Sequence, residues 1–402
     1  MLVSKSIEYK TKAMLWGSEF INGIRRDLVA ALILIYFIFL GHDILAVTTL
    51  FAASKLVFLF FEFPTGAFAD QHSRKKSVII SFTLMTLSFL GIFTFQNFWY
   101  LAFFYILGDI AWTFQSGTTT AWAVDNLKYG KEKKKLASLF ARLHLFERSG
   151  SIIGGIIGLM IVAINFHFVW LFIAIVNLVW VIIISLMTDE KNFKPKKANK
   201  HFIINTYVQA KESLKYLVHK KNKQLKGLAI SVFVGTAAFD AFFILIPLIF
   251  VQNLNVSINK IPLIFSLVAV GALVSTFIGE KSAHSWGFRK SLLIGYLGAG
   301  IAIIVFAISK SIILSIASLA VMHIFETAYA CVVYDSAIQH AISSKSRATL
   351  GSAMSIIWSL GNAMGVGLAG LGIKFIGLVN TTLICGIVAI IAGFLFYFNM
   401  EH

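Results

Sequence analysis

Long apolar runs separated by short polar breaks dominate the chain. About 20 apolar residues are what an α-helix needs to cross the hydrocarbon of a bilayer. Twelve runs of that kind predict twelve transmembrane helices: Ala13–Leu40, Ala46–Ala67, Ser77–Phe95, Phe98–Val124, Leu136–Ile164, Val169–Met187, Leu225–Val251, Ile261–Ile278, Ser291–Ile308, Ile312–Tyr334, Ala348–Ile373 and Phe375–Phe398. Strands are excluded, because the runs are too long and none keeps a period-two alternation. The expected fold class is therefore an all-α membrane protein. The longest polar stretch, Thr188–Lys226, divides the helices six and six. This predicts an N-terminal half over 1–187, a basic connector over 188–226 and a C-terminal half over 227–402.

Composition agrees with the pattern. The chain has 402 residues, 58% hydrophobic and only 13% charged, with a mean hydropathy of +0.82. A soluble domain needs more charge than that on its surface, whereas a bilayer removes the need. The 38 Phe and 29 Gly suit lipid-facing surfaces and close helix packing.

A net charge of +17 taken alone suggests nucleic acid. Its distribution points instead to membrane orientation. With the N-terminus in the cytoplasm, the inner segments carry Lys5, Lys10 and Lys12, then Arg74–Lys76, then Lys128 and Lys131–Lys135. Eleven Lys between Lys191 and Lys226, then Lys281, Arg289, Lys290, Lys345 and Arg347 complete the set, while the opposite loops hold only Lys260, Lys310 and Lys374. This is the positive-inside pattern, with both termini cytoplasmic and no nucleic-acid partner. The polar start, Met1–Lys12, has no signal-peptide character, so the first helix is expected to be retained. Cys331 and Cys385 lie in apolar runs and imply no disulfide framework. The connector reads first as a solvated link that orients the halves; a short amphipathic surface helix over Ile203–Leu217 is the second reading.

The two halves repeat each other. Gly66-Ala67-Phe68-Ala69-Asp70-Gln71-His72-Ser73-Arg74-Lys75 follows the second run, and Gly279–Lys290 follows the eighth with the same design of a Gly, a polar turn and a basic pair. The fifth run carries Gly150, Gly154, Gly155 and Gly158, and the eleventh carries Gly361, Gly365, Gly367 and Gly370. The same two features recur in the same order at nearly equal separation. That predicts two pseudo-symmetric halves about an axis along the membrane normal, a design whose substrate sites lie between the halves near mid-membrane.

The segment Gly66–Lys75 resembles the loop motif of the major facilitator superfamily, Gly-x-x-x-Asp-(Arg/Lys)-x-Gly-(Arg/Lys)-(Arg/Lys). Gly66, Asp70, Arg74 and Lys75 match it, while Gln71 and Ser73 depart from it. Gly150-x-x-x-Gly154-Gly155-x-x-Gly158 resembles the fifth-span motif of drug/proton antiporters, with Gly155 where Pro is usual and Leu159 where the last Gly is. The fourth-span Arg of those antiporters is missing; Asp109 and Gln115-Ser116-Gly117 occupy that region. Glu62-Phe63-Pro64-Thr65-Gly66 resembles a bacterial branch of the superfamily. The resemblance implies the twelve-helix facilitator fold. It also implies a charge cluster of Asp70, Arg74 and Asp125 that holds the outward-facing state, with Glu62 at the same cytoplasmic end.

Ionisable residues inside apolar runs are costly and mark solute and proton paths. Arg25, Arg26 and Asp27 fall near mid-depth of the first helix. Adjacent residues point about 100° apart, so they cannot share one partner. At least one Arg is expected to bind a polar or anionic group, and Asp27 to pair with a neighbour; an ion pair between helices is the structural alternative. Lys55 shares a helix face with Glu62 and is placed to neutralise Asp27 or contact solute. Asp109, Asp240 and Glu326 are carboxyls in apolar surroundings, suited to reversible proton binding. His323, three residues before Glu326, lies on the same face and can share its proton, although a lone helical His is more often a packing residue. Arg142, Glu147 and Arg148 on the fifth helix read as a structural set. Gly150, Gly154 and Gly158, and Gly361 and Gly365, form smooth strips for helix packing.

No phosphate-binding Gly-x-x-x-x-Gly-Lys-(Ser/Thr) and no Cys-x-x-Cys or His-Glu-x-x-His spacing occurs. Neither cofactor, metal nor enzymatic activity is expected. The sequence predicts a monomeric, proton-coupled secondary transporter of the plasma or inner membrane that exports a small amphiphilic or drug-like solute. Uptake of a polar metabolite by symport is the alternative, followed by a non-transporting sensor.

Overall fold

The computed structural model describes residues 2–127, 133–187, 223–334 and 347–400, together with 207, 208, 211, 212, 215 and 337. Most of the connector, including ten of the fifteen residues of Ile203–Leu217, lies outside the described residues. Every described element is helical. We number them α1 (Leu2–Phe39), α2 (Ile44–Gln71), α3 (Arg74–Thr94), α4 (Phe98–Thr113), α5 (Thr118–Leu127), α6 (Lys133–Ile164) and α7 (Phe168–Met187). The remainder are α8 (Lys223–Leu248), α9 (Ile261–Ile308), α10 (Ile312–Phe325), α11 (Arg347–Ile376) and α12 (Leu378–Asn399). Among the described residues, nine helices are long and apolar enough to cross a membrane.

The helices cluster into two compact units. One comprises Met1–Val29 with Val57–Thr206, the other Ala30–Leu56 with Tyr207–His402. In the first unit, Met14 and Leu15 of α1 pack with Val78 and Phe82 of α3, Trp122 of α5, Leu139 and Leu143 of α6, and Ile184 of α7. Trp180 of α7 donates to Ser18 of α1 at 3.0 Å. In the second unit, Tyr296 of α9 sits between Phe239 of α8 and Phe396 of α12, with ring centroids 5.2 and 5.0 Å away. The second unit also takes the first half of α2, where the Ala52 methyl lies 3.5 Å from the point at which a side chain on Gly367 of α11 would begin. Side chains on the outside are apolar; Leu186 and Ile313 are each 81% exposed, as expected of surfaces in contact with lipid.

Three helices differ from the apolar pattern. First, α1 starts at Leu2 rather than near Ala13. Its polar beginning is helical in its own right, with Glu8 and Lys12 forming an i,i+4 pair at 2.5 Å. Second, the runs Ile261–Ile278 and Ser291–Ile308 are not separated by a loop. Helix α9 continues through the polar segment and is interrupted only at Gly287, with φ 75° and ψ 164°. A single residue in that left-handed region turns the chain, and glycine takes it at no steric cost.

Third, the run Phe98–Val124 breaks at Phe114–Gly117, where Gly117 has φ 68°. A break inside an apolar run leaves main-chain carbonyls to be satisfied. Hydroxyls from two other helices do this. Thr65 of α2 donates to the Thr113 carbonyl at 3.1 Å, and Ser77 of α3 donates to the Phe114 carbonyl at 2.7 Å. Both hydroxyl residues are buried. Removing such a donor leaves a buried acceptor open, at a cost of about 1–3 kcal/mol. The double variant Thr65→Val, Ser77→Ala is expected to lower the unfolding temperature of the detergent-solubilised protein more than Thr83→Val. Thr83 bonds only its own helix, at the Ile79 carbonyl. Equal unfolding temperatures for the two would show that the break needs no such support.

Candidate functional site: charged groups inside the apolar helices

The Arg25–Asp27 triplet is divided by the helical turn. Arg25 is half-buried and faces α4, its guanidinium carbon 4.9 Å from the centre of the Trp112 ring. This is the geometry of a cation–π contact. Asp109 lies one turn before Trp112, on the same face of α4, and attracts Arg25, as does Glu19 of α1. The Arg25 Nε atom is buried without a hydrogen-bond partner among the described residues. One turn earlier, Asn22 is buried and its side chain is directed to Glu19. Arg26 points elsewhere. It donates to Asp27 at 3.2 Å and forms an ion pair with Glu147 of α6.

Arg26 and Glu147 sit on a main-chain seam. A methyl on Gly23 would overlap the Glu147 carbonyl, one on Gly150 would overlap the Phe20 carbonyl, and one on Gly154 would stand 2.9 Å from the Ile24 Cα. Gly158, one turn further on, is also buried. The second unit has the same arrangement between α11 and α8. Methyls on Gly361 and Gly365 would overlap the Thr236 hydroxyl and the Ala237 carbonyl.

The second unit holds its own charged group. Lys55 of α2 and Glu326 both act electrostatically on Asp240 of α8. Lys55 thus shares a unit with Asp240, whereas Asp27 belongs to the other unit and is bonded to Arg26. His323 Nδ1 is 3.8 Å from Glu326 Oε2, and Thr327 Oγ1 is 3.3 Å from the same oxygen. Phe243 lies one turn beyond Asp240, and its ring centroid is 5.3 Å from that of His323. At Glu326 the main chain leaves α-geometry for a π-helical segment, Glu326–Val333. Such segments concentrate at functional sites.

At the turn between α2 and α3, Arg74 lies 3.3 Å from Asp70. Ser73 caps α3 by accepting from the Lys76 amide at 3.0 Å. Glu62 is half-buried on α2. The side chain of Asp125 lies outside the described residues. Sequence reasoning does not single out Glu19, Asn22 or His144. The first two stand in the stretch that joins a polar start to an apolar run, where polar residues draw no notice. A single helical His such as His144 carries little signal of its own.

Comparison with known proteins names the family. The family model described as Major Facilitator Superfamily matches residues 15–333 and 228–402. The chain belongs to the Major Facilitator Superfamily. A curated relative, the "Uncharacterized MFS-type transporter YxaM" of Bacillus subtilis (strain 168), is 26% identical over 232 residues, covering 55% of this chain and 54% of the relative. The chain thus matches about half the length of that relative. Among solved structures, a POT family transporter in complex with 5-aminolevulinic acid superposes with a TM-score of 0.76 at 17% identity, covering 95% of this chain and 94% of the other. The nucleoside transporter NupG gives 0.77 at 11% identity, covering 98% and 100%. The human organic anion transporter MFSD10 gives 0.66 at 12%, covering 98% and 99%. At these identities the likeness is one of fold. The protein is a multi-pass membrane protein of a transporter family.

Proposed function

We propose that this superfamily member is a proton-coupled secondary transporter that exports a small amphiphilic, drug-like solute by alternating access. In this reading it has twelve spans in two pseudo-symmetric halves, 1–187 and 227–402, joined by the connector 188–226. Both termini are cytoplasmic, and the protein works as a monomer in the plasma or inner membrane. One observation carries the proposal. Each unit gathers a basic side chain, at least one carboxylate and an aromatic ring within apolar helical runs. These are Arg25, Asp109 and Trp112 in one unit, and Lys55, Asp240, Glu326, His323 and Phe243 in the other. Charges are kept at membrane depth where they serve a pathway. A cation beside a ring suits a solute with a polar head and a flat apolar body. The buried Arg25 Nε, without a hydrogen-bond partner among the described residues, adds a polar atom that a solute would satisfy.

Asp109, Asp240 and Glu326 are the proton carriers, with His323 able to share the Glu326 proton. Asp70, Arg74, Glu62 and Asp125 act at the cytoplasmic end, where they bias the equilibrium between states. The main chain supports motion, since the fourth span breaks one turn after Asp109 and the tenth changes helix type at Glu326. The Gly150–Gly158 strip and its resemblance to the antiporter motif favour export.

The test is solute-induced proton movement in proteoliposomes across a compound panel, comparing wild type with Asp109→Asn and Glu326→Gln. A compound that moves protons in wild type, with the response lost in one variant, is the expected result. Solute flux with no proton movement, unchanged in both variants, would replace proton coupling by uniport or another ion. A pH gradient that drives accumulation on the cytoplasmic side would reverse the direction to uptake. Tight binding with no flux would make the protein a sensor.

A further inference from the structure

Helix α11 is held on two sides. Phe233 and Thr236 of α8 meet it at Gly361, and Ala237 meets it at Gly365. On another face, Thr48 of α2 meets it at Gly370 and Ala52 meets it at Gly367. All of these residues belong to the second unit. A third face carries Leu360, Met364, Leu368 and Leu371, all exposed, as on a surface that meets lipid. Counting about 100° per residue, a fourth face lies between the α8 and α2 contacts, opposite the exposed one. It carries Ser359 and Asn362, which are 2% and 7% exposed.

Two acceptor atoms on that face are open. Buried hydroxyls of this unit commonly bond the carbonyl one turn back, as Ser231 does to Gly227 and Thr382 does to Leu378, each at 2.9 Å. The Ser359 Oγ and the Asn362 Oδ1 have no hydrogen-bond partner among the described residues. Buried acceptors are costly to leave open, so these two point to a ligand that satisfies them. The charged groups of the unit border the same face. On α2, Lys55 stands one turn beyond Ala52 and two beyond Thr48, on the surface that meets α11. On α8, Asp240 stands one turn beyond Ala237 and two beyond Phe233, again on the surface that meets α11. Lys55 attracts Asp240, in keeping with that placement. The two charges thus answer each other, and the open acceptors are neutral.

We propose that Ser359 and Asn362 line the solute path on α11 and receive the polar head of the solute, accepting hydrogen bonds from an uncharged hydroxyl or amide N–H group. Lys55 and Asp240 flank this subsite. It deepens the transport reading and rests on it. Both acceptor atoms are covered in this structure, so the solute reaches them when α2 and α11 part, a movement that alternating access supplies. A site built to hydrogen-bond a donor also rejects an analogue that lacks it, so the two residues set specificity as well as binding.

The experiment is thiol labelling of the full-length protein in phosphatidylethanolamine–phosphatidylglycerol vesicles with the water-soluble anion sulfonatoethyl methanethiosulfonate, read by mass spectrometry of the labelled peptide. The reagent attacks the thiolate, which forms in water and not in hydrocarbon. Ser359→Cys and Asn362→Cys should be labelled, and Met364→Cys on the exposed face should not. Absence of label at Ser359→Cys and Asn362→Cys, in proteins that elute like wild type, overturns the proposal. If Asn362→Cys fails to fold, Ser359→Cys decides alone, since it replaces one atom. A second measurement reads the donor. Asn362→Leu should weaken the proton response to panel compounds that carry a hydroxyl or amide N–H by about 10-fold, and leave compounds without one unchanged. Equal losses for both kinds of compound overturn the proposal, as does no loss for either. Wild-type vesicles that move no solute would remove the transport reading, with the subsite included. Normal flux with unlabelled cysteines would remove the subsite alone.

Discussion

Replacing Gly150 by Leu is expected to abolish the folded first unit. The reason is the kind of atom a side chain would meet. At most core positions an added group displaces another side chain, which can change rotamer at a cost of about 1–3 kcal/mol. At Gly150 the obstacle is the Phe20 carbonyl, and across the seam Gly23 faces the Glu147 carbonyl. Main chain in the middle of a helix has no alternative rotamer. Relief requires α1 and α6 to separate, which also parts Arg26 from Glu147. The destabilisation should therefore exceed that ordinary range. Gly361→Leu should act likewise on the second unit, through Thr236 and the Phe233 carbonyl, the latter 2.7 Å from the added carbon. Ile153→Leu, at a site 41% exposed, should be neutral. Size-exclusion profiles and unfolding temperatures in detergent report all three. A Gly150→Leu protein that elutes and melts like wild type would show that the two helices do not meet as described.

The second large effect is expected at Arg25, on function rather than folding. On the proposed transport reading, Arg25→Gln should weaken the solute-dependent proton response by roughly 10-fold or more. In the proposed site the polar head of a solute would meet the Arg25 guanidinium, and a hydrogen bond to a charged group contributes about 1.5–3 kcal/mol. Arg25→Lys keeps the charge but gives up the flat guanidinium that lies over the ring, so it should restore only part of the response. Arg26→Gln provides the contrast. Its guanidinium is committed to Asp27 and Glu147, so its removal should lower the unfolding temperature of the protein. A concentration–response series in proteoliposomes, paired with melting curves, separates the two arginines. Equal responses for Arg25→Gln and wild type, with equal stability, would remove Arg25 from the solute path.

The parts of this architecture legible in the sequence are those the bilayer imposes. Main-chain groups in hydrocarbon must be satisfied within the helix, so apolar runs of sufficient length announce themselves, and the glycine strips point to close helix contacts. The partners are harder to read. Helical spacing puts Lys55 on a face but does not say which helix that face meets. That Lys55 acts on Asp240 of α8 takes the fold to see. The break after Thr113 is invisible to hydropathy, because it depends on the φ of Gly117 and on hydroxyls from Thr65 and Ser77, far away in sequence. The helical linkage through Lys281–Trp286 has the composition of a loop, because polar residues resemble one whether or not they are helical. Glu19 is masked for a related reason. It stands seven residues after Lys12, in the zone where a polar extension of α1 becomes an apolar span.

Thr65 gives the broken span an unusual kind of tolerance. Its hydroxyl has a choice of acceptors: the Thr113 carbonyl at 3.1 Å, and in its own helix the Phe61 and Glu62 carbonyls at 2.8 and 3.3 Å. A serine or threonine commonly folds its hydroxyl back onto the preceding turn. If α4 withdraws, Thr65 loses nothing, because it already has a bond at home. The carbonyl it releases is the one that must find a new donor, from water or from whatever molecule occupies the space. The sidedness of that exchange makes Thr65 a reusable clasp, and it makes the Thr113 carbonyl the atom through which movement of α4 would be felt.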